Sequence, residues 1–114
     1  MENVVVSHVG SVAFRGGEYV RTAGTSNWKV WPIAAFDPPI RAPVGLIQID
    51  FASPIKGPYS VVVSAQRIAN APLIAANYGD ATENGFVVYL WETIADRTVQ
   101  NGDFSFAVYQ VTTG

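Results

Sequence analysis

Apolar residues along this 114-residue chain fall in short runs rich in Val, Ile, Tyr and Phe, broken every few positions by Gly, Pro, Asn or Asp. Nowhere do they keep the i, i+3, i+4 spacing of an amphipathic helix, so the pattern is that of an all-β chain. The segments predicted as strands are "NVVVSHVGSVAF", "GEYVRT", "WKVWPI", "VGLIQIDF", "YSVVVSAQRI", "PLIAANYG", "GFVVYLWE" and "DFSFAVYQV". Between them stand turn-forming stretches such as "RGG", "AGTSN", "FDPP", "ASPIKGP", "GDATENG" and "NGD", whose Gly, Pro, Asn and Asp residues favour chain reversal. Such regular alternation of strand and turn predicts a sandwich or barrel, not a parallel sheet with crossover helices.

The strands differ in how many faces they make apolar. In "GLIQIDF", Ile47, Ile49 and Phe51 share one face and Gln48 and Asp50 the other, as expected of a strand with one dry and one wet side. The stretch "GFVVYLWETIAD" does not alternate: Phe86, Val88 and Leu90 form one face, and Val87, Tyr89 and Trp91 the other. "FSFAVYQV" repeats this, with Phe104, Phe106 and Val108 set against Ala107, Tyr109 and Val111. A two-layer sandwich covers only one face of each strand. Burying one such side chain is worth about 1.5–3 kcal/mol, so the second apolar face is expected to be covered by another copy of the chain, the alternative being a central strand covered by loops or the amino-terminal segment.

Composition narrows the classes of function. The length suits one domain with a real core. Charged residues make up 14% of the chain, hydrophobic ones 49%, and the formal net charge is −2. That balance gives no field to attract phosphate backbones, so nucleic acid is not an expected partner. There are no cysteines, hence neither a disulfide framework nor a thiolate metal site, and the compartment stays open. "MENVVVSHVG" lacks the basic and long apolar regions of a signal peptide, and no apolar run nears the roughly 20 residues that span a bilayer. The chain opens on Met1 and reads as a complete small protein or a domain expressed by itself.

Catalytic arrangements are not evident. His8 is the only histidine, so no imidazole pair or metal cluster forms around it, and it reads as a polar residue of an edge strand. Strand geometry is expected to put Ser7 and His8 on opposite faces, which gives no local nucleophile–base pair. Carboxylates such as Glu92, Asp96 and Asp103 are present, but their spacing selects no pair for glycoside hydrolysis. No phosphate-binding loop or dinucleotide fingerprint occurs. The chain is read as a non-enzyme that needs no cofactor.

From "IDFASPIKGPYSVVVSAQRI" through "LIAANYGDATENGF" to "FSFAVYQV", the chain resembles the H-type lectin domain, the fold of snail agglutinins and of the carboxy-terminal domain of discoidins. The likeness covers residues 44–114, chiefly Ile49 to Val111, while residues 1–43 match poorly. "WPIAAFDPPIRAPVGLIQIDF" is similar also to tip domains of phage tail fibres. Either resemblance implies one all-β domain over residues 1–114, an antiparallel β-sandwich of about six to eight strands that assembles as a homotrimer, sometimes doubled to a hexamer. The first implies weak, multivalent recognition of surface glycans; the second, a structural or receptor-attachment module of a tail fibre or similar particle.

The lectin family's Arg position corresponds to Ala76, and its sugar-contacting His to Ala95 or, in a shifted register, to Glu92. The carbohydrate-binding candidates are therefore other residues. Trp91 and Glu92 put an aromatic ring beside an acid, and a sugar uses the first for its apolar face and the second for its hydroxyls. Asp96 matches the family's segment after the Gly-Phe strand. Asn77 and Tyr78 lie next to the absent Arg, with Asp80 close by, and Arg67 offers a guanidinium from a neighbouring strand. Of Trp28 and Trp31, on opposite faces of "SNWKVW", one is expected in the core and the other as an exposed platform.

Overall fold

A computed structural model of the chain describes residues 2–15, 18–30, 46–66, 74–92 and 102–113. Each predicted strand segment contributes one strand: β1 (Glu2–Arg15), β2 (Glu18–Gly24), β3 (Trp28–Val30), β4 (Leu46–Phe51), β5 (Tyr59–Gln66), β6 (Ile74–Thr82), β7 (Gly85–Glu92) and β8 (Asp103–Thr113). They form two four-stranded sheets, β2-β1-β8-β5 and β3-β4-β7-β6, in which every pairing is antiparallel. No helix occurs among the described residues. The architecture is a β-sandwich.

Period-two alternation sets the inner faces. Val12, Val61, Phe104, Phe106 and Val108 of the first sheet meet Ile47, Ile49, Phe51, Phe86, Val88 and Leu90 of the second, all buried. Aromatic rings lock the layers together: Phe106 meets Trp28 at 4.8 Å and Phe86 at 5.4 Å, both edge-on. That is the geometry the ring quadrupole prefers, worth about 0.5–1.5 kcal/mol per pair beyond area burial. In β4, Ile47, Ile49 and Phe51 are buried while Gln48 and Asp50 are only half-buried, so its alternation is as read from the sequence.

Two expectations about β1 fail for one reason. The register with β8 shifts between Val6 and His8, a bulge that inserts an extra residue and breaks the alternation. Ser7 and His8 are therefore not separated across the strand: Ser7 Oγ lies 2.7 Å from His8 Nδ1. Nor is His8 an edge-strand polar residue in solvent. It is 6% exposed, and its ring packs 4.5 Å from that of Phe51.

Burial lowers the His8 pKa from its ordinary 6.5, because an imidazolium loses more hydration there than imidazole does. The unfolded chain then binds this proton at a higher pH than the folded one. Stability from this group is full above about pH 7 and lost as pH falls through 6.5 toward the lower folded-state value. Urea unfolding at pH 7.5 and pH 5.5 should show a drop in the wild type that is smaller in His8→Phe. Equal drops would remove His8 as its source.

Candidate functional site

The sequence candidates are not gathered into one site by the described residues. Trp28 is the tryptophan that went to the core: it is 3% exposed, and its Nε1–H donates to the Val9 carbonyl at 2.9 Å. The Arg21 guanidinium lies 4.3 Å over its ring and donates to the carbonyls of Trp28 and Gly24 at 2.8 and 2.9 Å and to that of Thr25. Trp28 is thus no platform for a sugar, and Trp31 falls outside the described residues. Tyr78 turns its ring to Phe86 at 6.2 Å, edge-on, and serves the core's margin. Asn77 is exposed, and its Oδ1 accepts from Tyr78 N at 2.8 Å. Asp80, in a left-handed conformation at φ 50° that Asp tolerates better than most residues, accepts the Tyr89 hydroxyl.

Trp91 and Glu92 end β7, paired with Ala75 and Ile74 at the start of β6. Arg67 follows β5 directly and Asp96 follows β7, both outside the described residues. Tyr59, which opens β5, bonds to the main chain at the β6–β7 turn. The far ends of β5 and β7, and hence the positions flanking Arg67, Trp91 and Glu92, therefore share the opposite end of the sandwich.

A concave site lies at the Tyr59 end. The β4–β5 connection, residues 52–58, and the turn at Glu83 and Asn84 enclose an open cleft of about 330 Å³ lined by Ile55, Gly57, Pro58, Tyr59, Thr82 and Glu83 among others. Local sequence explains both walls. Ile55 is buried and anchors the connection, and Gly57 adopts φ 109°, which a residue with a Cβ rarely does. Main-chain bonds tie wall to wall: Phe51 N donates to Asn84 O and Ile55 N to Glu83 O, each at 2.8 Å.

Tyr59 forms the floor. Its hydroxyl lies 2.6 Å from Thr82 O and 2.9 Å from Gly85 O, and its ring meets Phe51 edge-on at 5.4 Å. Burial, with Tyr78 nearby, raises its pKa, so the phenol stays protonated as a donor to those carbonyls. Glu83 stands exposed on the rim. A second hollow of about 110 Å³ shares Pro58 and Tyr59 and extends over Ser60, Tyr109 and Val111. The assembly offers one half-buried ring, an accepting carboxylate and a hydroxyl, Thr82, on braced walls. Tyr59, Thr82 and Glu83 were missed in the sequence, where Tyr59 read as the first residue of a strand and Thr82 and Glu83 as part of a turn; the signal available was an aromatic directly after Gly-Pro.

No protein-family model, curated protein or solved structure matches this chain.

Proposed function

We propose that the chain is a non-catalytic, lectin-like carbohydrate-binding module that acts as a homo-oligomer, a homotrimer or hexamer, on surface glycans. The observation that carries this reading is the Tyr59 cleft, lined by that ring and by Glu83, with walls pinned by main-chain hydrogen bonds. A shallow polar cleft of this kind suits a saccharide. Carboxylate oxygens accept from hydroxyls, while ring and proline surface take the C–H face. Single-site affinity is expected near millimolar, about −4 kcal/mol, raised to useful strength by several linked sites.

A glycan array probed with the purified oligomer tests this. Binding to a subset of glycans is expected, weakened about tenfold or more by Glu83→Gln, since a hydrogen bond to a charged group is worth about 1.5–3 kcal/mol. Glu92→Gln, at the opposite end, should leave binding in place. An intact oligomer that binds no glycan overturns the reading.

The exposed valines on the outer face of the first sheet favour a second reading, a structural or attachment module of a tail fibre or similar particle. An oligomer that forms without binding sugar would favour it.

A further inference from the structure

The large hydrophobic side chains left exposed among the described residues are all valines of one sheet: Val4 (69%), Val5 (43%), Val6 (48%), Val9 (38%), Val62 (57%) and Val111 (58%). Register places five of them on one face. Val4 pairs with Val111, Val6 with Tyr109, and Val9 with Ala107, while Ala107 pairs on its other side with Val62. Because paired residues point the same way, these form a continuous outward surface across β1, β8 and β5. Val5 faces the other way, paired with Gln110.

Charged positions on that face stand at strand ends, Glu2 and the Arg15–Glu18 pair, and its middle is as uncharged as its valines. Ser11, Ser60, Ser64 and Ser105 fill positions between them, and the nearest ion pair, Arg15 with Asp103 at 3.2 Å, stands at the far ends of β1 and β8. The second sheet differs: its outer face sets Lys29, Gln48, Asp50 and Asn77 among Leu46, Val87 and Tyr89, which are half-buried, and register places Trp91 on the same face at the end of β7.

We infer that the outer face of the β2-β1-β8-β5 sheet is the surface on which another copy of this chain docks. The valines expose on the order of 400 Å² per copy, about half of what each partner gives to a standard stable interface; Ala107, Tyr109 and the serines beside them supply the remainder. The uncharged middle of the face sets no like-charge repulsion against its own copy. Its small, β-branched side chains suit sheet-on-sheet packing at about 10 Å. This deepens the oligomeric part of the proposed function and does not depend on the sugar.

Sedimentation velocity at tens of micromolar tests it. The wild type should run as an oligomer, and a Val62→Lys, Val111→Lys double variant as a monomer with an unchanged far-ultraviolet circular dichroism spectrum. Gln48→Lys, on the other sheet, should stay oligomeric. A chain without cysteine permits a second readout: Val62→Cys should react with a maleimide at least tenfold more slowly than Ser53→Cys in the exposed β4–β5 connection. A double variant that remains oligomeric, or equal labelling rates in an oligomeric protein, overturns the docking surface alone. A monomeric wild type overturns the oligomeric reading with it.

Discussion

A Gly10→Ala protein should be less stable than the wild type by about 3 kcal/mol, at the upper end of what overpacking a core costs. Gly10 sits on the inner side of β1, paired with Phe106, and the indole of Trp28 lies directly on it. A Cβ there would fall 2.0 Å from Cζ2 and 2.6 Å from Cε2 of that ring. The ring has nowhere to retreat. Its Nε1–H is held by the Val9 carbonyl at 2.9 Å, Phe106 stands edge-on at 4.8 Å, and Arg21 covers it at 4.3 Å. Relieving the clash means surrendering those contacts and part of the indole's burial together. Set against the 5–15 kcal/mol that typically stabilises a domain, this is a large fraction, and urea unfolding should show it as a lower midpoint at unchanged slope. Trp28→Phe should recover part of the loss in the double variant, because the two side chains compete for one volume. A cost under about 1 kcal/mol would mean that the indole moves freely.

That contact shows where sequence reading stops. Strand positions were legible because period-two patterning and turn residues are local: Ile47, Ile49 and Phe51 were assigned to the dry face, Phe86, Val88 and Leu90 to one face of their strand, and all six are buried. Gly10 was not, since its need for hydrogen in place of a methyl comes from a tryptophan eighteen positions away. The bulge at Ser7 escaped for a related reason. Alternation predicts faces only while the ladder stays regular, and "VVVSHV" carries no local mark of an extra residue. It turned His8 inward.

The apolar second faces of the late strands were legible as a problem, though not as two different ones. Tyr89 of β7 is settled within the protomer: its ring lies against Gly79, where a Cβ would stand 3.0 Å from Cε2, and its hydroxyl donates to Asp80. Val111 of β8 has no such neighbour and joins valines from β1 and β5. Only the strand order, which places β8 between those two, reveals that they share a surface. Sites at strand ends were harder still, because Tyr59 and Glu83 are far apart in sequence and meet only through the bonds across Thr82, Gly85 and the β4–β5 connection.

Gly85→Ala should be at least as damaging as Gly10→Ala, and by a route that reaches the cleft. Gly85 pairs with Asp50, so close to β4 that a Cβ would lie 2.0 Å from the carbonyl oxygen of Ile49 and 3.0 Å from the Cα of Asp50. Those are main-chain atoms of a central strand, not the end of a flexible side chain, so the methyl is accommodated only by parting β7 from β4. Nearby ladder bonds, each worth about 0.5–1.5 kcal/mol net, are lost with the packing of Phe86, which is fully buried next door. A loss above about 3 kcal/mol is expected, beyond the usual range for a point change. Gly85 O is also one of the two carbonyls that face the Tyr59 hydroxyl, and the adjoining Asn84 O accepts from Phe51 N. Displacing this corner therefore loosens floor and wall together. Amide exchange near Phe51, Ile55 and Phe86 should accelerate at temperatures where the variant is still folded, while amides of the β1–β8 ladder stay protected. If exchange instead rose uniformly across both sheets, the corner would be no more than a stability element, and the link from the Gly-Phe turn to the cleft would not hold.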